Sequence, residues 1–462
     1  MAQYVTMTKL GKMLAVWAVV AAVFPVVSAS AESKARIVRL SEVQGSVQID
    51  RATGGGFDKA FINLPVVEGS KLKTGKDGRA EVEFEDGSAL RLASDSEVDF
   101  TRLALGDDGQ KFTTVQLVSG TLYANLHPKK AGGKDKTGDQ FLMNFSRESL
   151  SRESITVSET AHFRVKLTNT QATVAVFKGK LSATTPSGQV DVAEKHSATI
   201  DLGDPAKKDT FTIAKNYEEE TTDAWDRQQT GYHDRYVSTG GSSLSSPYSY
   251  GVSDLNYYGS FMNCPGYGFG WQPYFTDANW NPFMDGGWMW YPGSGYMFVS
   301  AYPWGWMPYR YGSWAFAQGC GGWMWQPGSW NTWYTIPPVV KPPKRFPMPR
   351  PPLVGHTPVM VGRGLTANPA PGPPRHLIIN PGSAGYGVPR GSVQHLDHLA
   401  KTMGQTSRPV AVTTARPVSA QPPATGTGTR TNSAPTSTGR GMSTGTVSTS
   451  APTRSAGPPA RR

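Results

Sequence analysis

Few residues in this sequence have the type and spacing to do chemistry. Cys264 and Cys320 are its two cysteines. In an oxidising compartment, two cysteines in a Gly-rich stretch point to a disulfide, the alternative being two buried unpaired thiols. A bridge closing a loop of that size would contribute about 4 kcal/mol through chain entropy. Tyr291, Trp304, Trp306 and Tyr309 carry flat apolar faces with polar edges in a nearly uncharged stretch, which suits stacking on sugar rings or apolar segments. The competing possibility is that such rings form the core of a region poor in Leu, Ile and Val. His395-x-Asp397-His398 is the nearest approach to a metal cluster, but it offers too few ligands for a closed site and no metal is assigned to it. The sequence has no Gly-rich phosphate loop and no zinc-binding His-Glu-x-x-His. Glu81, Glu83 and Glu85 alternate with apolar residues, so solvated charge on an outward strand face is their default. Neither catalytic residues nor a cofactor is predicted, and the chain reads as a non-enzyme.

Those residues sit in a chain of 462, long enough for two or three domains. With 38% apolar residues, 51 Gly and 36 Pro, much of it is not ordinary globular core. The net charge of +11 belongs to one end. From Lys341 onward there are 15 Lys and Arg against one acid, Asp397, which leaves the preceding residues close to neutral. At the N-terminus, Lys9 and Lys12 precede the apolar run Met13–Val27, and Ala29-Ser30-Ala31 supplies small residues for cleavage. Residues 1–31 are therefore predicted to be a signal peptide, and the protein to be exported to the periplasm or cell surface. An uncleaved anchor is the alternative, although spanning needs about 20 apolar residues and Pro25 interrupts a shorter run.

Residues 36–203 alternate with a period of two, the spacing of half-buried strands. Ala80, Val82 and Phe84 interleave with Glu81, Glu83 and Glu85, and Leu90 and Leu92 flank Arg91 beyond Asp86-Gly87. A two-residue loop would set Val82 against Arg91. A three-residue loop, Glu85-Asp86-Gly87 with Gly87 left-handed, pairs Val82 with Leu90 and leaves Glu81 facing Arg91 outside. The pattern apolar-x-Gly-x-apolar recurs at Gly45, Gly120 and Gly179, where strands are expected to turn corners. About ten strands follow, as a sandwich, a barrel or a short solenoid. Residues 215–236 are predicted to form one connecting helix, with Tyr217, Trp225 and Tyr232 at near-helical spacing.

Residues 248–334 hold 29 aromatics, including 11 of the 13 Trp. Gly286-Gly287-Trp288-Met289-Trp290 recurs as Gly321-Gly322-Trp323-Met324-Trp325, so two equivalent short strands are expected. If the Trp face is core, Trp288 and Trp323 are buried, Met289 and Met324 face outward, and Tyr291 and Trp304 are partly exposed. Residues 336–462, rich in Pro, Gly, Ser, Thr and Arg, are predicted to be a disordered basic tail, with polyproline II around Pro337–Pro352.

The motif Leu72-x-Thr74-Gly75, then Gly78-Arg79-Ala80-Glu81-Val82-x-Phe84-x-Asp86-Gly87-Ser88 and Leu90-Arg91-Leu92, resembles the core of the FecR domain. That domain is an all-β extracytoplasmic module named for a bacterial iron-transport regulator, and the likeness spans roughly residues 36–203. The aromatic stretch resembles the Trp/Tyr/Gly-rich segment that often follows FecR domains in exported bacterial proteins. The expected architecture is all-β: a FecR-type domain, a helix, an aromatic β-module and a tail. The expected work is binding or scaffolding in the cell envelope. Its partner would be an envelope polysaccharide or another envelope protein, with the tail touching anionic envelope polymers and no role for nucleic acid. The resemblance also implies an alternative, a periplasmic regulator signalling to a sigma factor, from which the chain departs in having no cytoplasmic domain ahead of its apolar run.

Overall fold

A computed structural model describes residues 36–130, 132, 138–145, 153–202, 210–239, 244–328, 330–368 and 376–414. The predicted signal peptide and residues 415–462 lie outside them. The alternating runs of the first half form β1 (Val38–Gln44), β2 (Val47–Asp50), β3 (Phe57–Lys59), β4 (Pro65–Val66), β5 (Lys71–Thr74), β6 (Arg79–Glu83), β7 (Ala89–Leu92) and β8 (Glu97–Leu105). They continue as β9 (Lys111–Leu126), β10 (Gln140–Phe145), β11 (Ser154–Val157), β12 (Ala161–Leu167), β13 (Gln171–Lys178), β14 (Lys180–Thr185), β15 (Gly188–Ala193), β16 (Ser197–Asp201) and β17 (Phe211–Ala214).

These strands make two sheets that share β9. One has the order β3-β2-β5-β8-β9-β10-β11-β14-β15. The other has the order β4-β1-β6-β7-β9-β12-β13-β16-β17. Inward residues of both, such as Leu72 and Phe100 from the first and Val82 and Phe163 from the second, pack in one cluster, so the domain is a sandwich without a closed barrel. The three recurring glycines are its corners. Gly45 carries the chain from β1 to β2, Gly179 carries it from β13 to β14, and Gly120 divides β9 between the sheets, each with φ between 62° and 84°. A Cβ at Gly120 would collide with Ser96 and the carbonyl of Asp95. Strands cross between the layers where only glycine fits.

The β6–β7 hairpin has the expected register, with Ala80 opposite Leu92, Glu81 opposite Arg91 and Val82 opposite Leu90. Gly87 closes the three-residue loop at φ 85°. Its N–H donates to Phe84 O at 3.0 Å, and Phe84 N–H donates to Ser88 O at 2.8 Å.

The connecting helix, α1 (Asp223–Thr239), starts later than the spacing predicts. The Asp223 carboxylate accepts the Glu220 N–H at 3.0 Å and pairs with Arg164, so a cap and a tertiary contact together fix the start. Next come α2 (Val252–Tyr258), β18 (Gly259–Cys264), β19 (Gly268–Pro273), β20 (Gly286–Tyr291), β21 (Gly295–Ser300), α3 (Met307–Arg310), β22 (Ser313–Ala317) and β23 (Gly322–Gln326). The two Gly-Gly-Trp-Met-Trp repeats are β20 and β23, each the middle strand of a small sheet and paired antiparallel on both sides. Trp288 packs edge-on against Phe298 of its neighbour, and Trp323 does the same against Phe316. Both Trp residues are buried in one aromatic core.

Met289 and Met324 are buried as well, against the expectation that they face outward. Met289 and Tyr291, on the other face of β20, belong to the core of the FecR-type sandwich, and Met324 packs with Ala317 and Cys264. A strand covered on both faces loses its outward side, and alternation then no longer separates buried from exposed.

The expected disordered tail is folded over residues 336–368 and 376–414. It supplies β24 (Val339–Val340), β25 (Val359–Val361), β26 (His376–Ile379), α4 (Leu396–Thr406) and β27 (Val410–Thr413). β24 joins β22, β25 joins β20, and β26 pairs with β27. Ile379, Val388, Val393, Leu396 and Met403 lie in the aromatic core. Scattered apolar residues suffice here because they cover a surface that already exists and need no core of their own. The described residues from both halves make one compact unit rather than separable modules.

Candidate functional site

The four rings expected to stack on a ligand are sealed. Trp304, Trp306 and Tyr309 have 0% exposure and Tyr291 has 1%. Trp304 Nε1 donates to Ala384 O at 2.7 Å, Tyr291 OH donates to Pro65 O at 2.9 Å, and Tyr309 OH donates to Pro282 O. The polar edges of Trp304, Tyr291 and Tyr309 satisfy backbone carbonyls and all four faces fill core, so none presents a ring to a sugar. The structure joins Cys264 to Cys320, with Cα atoms 6.1 Å apart, beside Met324. His395, Asp397 and His398 form the N-terminal turn of α4, with ligand atoms within 4.8 Å of one another. That segment is structured after all. Three donors at the positive end of a helix remain a poor cation site.

The densest cluster of ionisable groups lies where sequence alternation places solvent. The outward face of β1, β6 and β7 presents Arg39, Glu81, Glu83 and Arg91, and every one of them is buried. α1 lays Asp226, Thr230 and His233 across this face, α2 adds Asp254, and the former tail adds Arg390. Arg91 donates to Glu81 Oε2 at 2.7 Å and to Asp226 Oδ1 at 2.7 Å. Arg390 grips Asp254 with two bonds of 2.9 Å and reaches Glu81 Oε1 at 2.7 Å and Ser41 O at 2.9 Å. Arg39 lies 2.6 Å from Asp254 and donates to Glu83 at 3.2 Å, Asn63 at 3.0 Å and Pro303 O at 2.5 Å. His233 bridges Glu81 at 3.0 Å and Ser253 at 2.9 Å.

Burial pushes every carboxyl here upward, and the neighbouring cations decide which ones yield. For Glu81 they win: His233, Arg390 and Arg91 hold it well below the usual range. Arg390 and Arg39 likewise outweigh burial at Asp254 and lower its pKa. For Glu83 burial prevails over His233 and Arg39 and its pKa is raised, while Glu42, beside the cluster, rises to about 7.

The default of solvated charge therefore fails for a structural reason. These acids do point outward from their sheet, but a helix and two later segments cover that face. Arg390 carries no local signal in its Gly/Pro-rich surroundings. A charge on a strand otherwise matched to its cross-strand partner, as Glu81 is to Arg91, was the legible part.

Enclosed acid–base groups cannot meet a substrate. Two clefts at the surface, one lined by Arg36, Phe84 and Asp139 and one by Ile62, Tyr386 and Val388, offer about 20 and 30 Å³. That is room for about one water molecule. The cluster's chemistry is cohesive: opposite charges from four separated stretches hold the sandwich, α1, α2 and the segment around Arg390 together. Among the described residues, no helix is long and apolar enough to cross a membrane.

No curated protein matches the chain. Two crystal structures of a protein described as an anti-sigma factor from Parabacteroides distasonis ATCC 8503, at 1.65 and 2.50 Å, are similar to it at 14% identity. They cover 36% of this chain and 72% and 71% of their own, with TM-scores of 0.26 and 0.25. Residues 252–344 match a family of unknown function, DUF6600. Residues 70–182 match the family described as FecR protein. Together with the motif around the β6–β7 hairpin and the all-β sandwich that carries it, that match makes this a FecR-domain-containing protein.

Proposed function

We propose that this is a non-enzymatic protein of the cell envelope that works by binding or scaffolding. The observation that carries this reading is the sealed charge cluster. Its ionisable groups are spent on joining the FecR domain to the aromatic module, and the candidate stacking rings are core. What remains is an extended surface suited to macromolecules. Export is supported by the signal-like N-terminus and by the Cys264–Cys320 bridge, which belongs in an oxidising compartment. The second reading, a FecR-like regulator of a sigma factor, is favoured by the family match at residues 70–182.

A deletion strain separates the two. Raised sensitivity to detergent, with sigma-dependent transcripts unchanged, is the expected outcome. Altered transcripts in a strain with an intact envelope would replace the first reading with the second.

A further inference from the structure

Between Asp285 and Asp397 the sequence holds no acidic residue. Three of the basic residues in that interval are absorbed by the fold. Arg310 is enclosed by the carbonyls of Phe298, Tyr309, Tyr334 and Thr335, Arg363 pairs with Asp285, and Arg390 belongs to the buried cluster. Lys341, which lies over the Tyr267 ring at 4.7 Å, and Lys344, Arg345 and Arg350 are exposed, all within one strap that crosses from β24 to β25.

The strap is fastened at both ends. β24 pairs with β22, and the Phe346 ring lies 4.7 Å from Trp323. At the far end His356 stacks on Trp290 at 3.8 Å, Tyr296 OH donates to Thr357 O at 2.9 Å, and β25 pairs with β20. Between Phe346 and His356 most side chains are exposed, with Pro349 and Pro352 half-buried. Leu353 has 100% exposure, Val354 has 88% and Met348 has 44%. Adjacent exposed apolar side chains flanked by cations form a patch suited to a surface that is both apolar and anionic.

We propose that residues 341–355 dock on an anionic lipid surface, with Lys341, Lys344, Arg345 and Arg350 meeting head groups and Leu353 and Val354 entering the interface. The backbone suits that setting. Pro347, Pro349, Pro351 and Pro352 have no N–H, which removes donors that lipid could not satisfy. Each cation near an anionic leaflet contributes about a fivefold gain in binding, and buried apolar side chains add to it. The proposal deepens the envelope reading and rests on it for where such a membrane is met.

The test is co-sedimentation of the purified full chain with vesicles of phosphatidylcholine mixed with phosphatidylglycerol, against vesicles of phosphatidylcholine alone. Binding to the mixed vesicles that weakens with salt is expected. Lys344→Gln/Arg345→Gln/Arg350→Gln should lose about a hundredfold, and Leu353→Ser/Val354→Ser about tenfold or more. The control Lys180→Gln/Lys195→Gln, which removes two cations from the sandwich, should change little. Absent binding, equal binding to neutral vesicles, strap variants that bind like the parent, or an equal loss in the control would each overturn the proposal. Failure with vesicles beside a detergent-sensitive deletion strain would sink the strap and spare the envelope reading. Vesicle binding beside an unaffected strain would do the opposite.

Discussion

Glu42 shows how a single carboxyl records the closure of the interface. It sits on β1 at the edge of the charge cluster, where Oε1 accepts from Gln44 and, at 3.4 Å, from Gln229 of α1. Oε2 finds no donor among the described residues. Burial lifts its pKa from 4.5 to about 7, against Arg390 and with help from the Glu81 charge. A folded-state pKa above the unfolded one means the native protein holds the proton more tightly. Glu42 therefore stabilises fully below pH 4.5, and that contribution is lost as pH rises through 7. Glu81 and Asp254 run the other way, stabilising above the ordinary carboxylate range and failing in acid. Glu42→Gln keeps the shape and removes the charge. It should match the parent near pH 5 and exceed it above pH 7, by roughly 3 kcal/mol at most. Denaturant unfolding at pH 5 and pH 8 reads the difference, and equal stabilities at pH 8 would show that burial does not raise the Glu42 pKa.

At the scale of elements, turns and corners were legible because they are set by local chemistry. Gly87 had to be left-handed for the faces of β6 and β7 to align, and Gly45, Gly120 and Gly179 recur where strands change sheets. What a sheet face meets is set by residues far along the chain. The Glu81–Arg91 pair was placed correctly but given to solvent, and Met289 was given to solvent because nothing local marks β20 as covered twice. The hairpin tip joins the two kinds of information. Ser249 N–H donates to Glu85 O at 2.8 Å, and a Cβ on Gly87 would lie 3.3 Å from Ser249 Cβ. Gly87→Val combines a β-branched residue at φ 85° with crowding of that contact, and should destabilise by about 2–3 kcal/mol. Gly87→Asn, which tolerates the left-handed region, should lose clearly less. Thermal melts of the two variants make the comparison, and equal losses would mean that crowding rather than backbone conformation governs the tip.

At the scale of the whole molecule, the chain is bound together by contacts between its distant parts. β20 contributes Met289 to the sandwich core and Trp288 to the aromatic core, so the two cores share a wall. Arg51 reaches Trp290 O at 2.8 Å, and Asn63 reaches Ser300 O and Tyr302 O at 3.0 and 2.8 Å, across the same boundary. Composition concealed this for residues 376–414, whose Pro and Gly content resembles that of a disordered segment although Ile379, Val388, Val393, Leu396 and Met403 find places in the core. Arg390 is the strongest single tie of that segment, because it is the partner of both Glu81 and Asp254. Arg390→Ala would leave two buried carboxylates short of a cation, a defect that typically costs about 3–5 kcal/mol. Part of that cost falls away if the segment lifts off and admits water. The expected result is selective: limited proteolysis should spare residues 376–414 in the parent, cut there early in Arg390→Ala, and leave the β1–β17 sandwich resistant in both. Early cutting of the parent at these sites would return the segment to the disordered state its composition implies. Simultaneous loss of the sandwich in the variant would show that the cluster holds up the FecR domain itself.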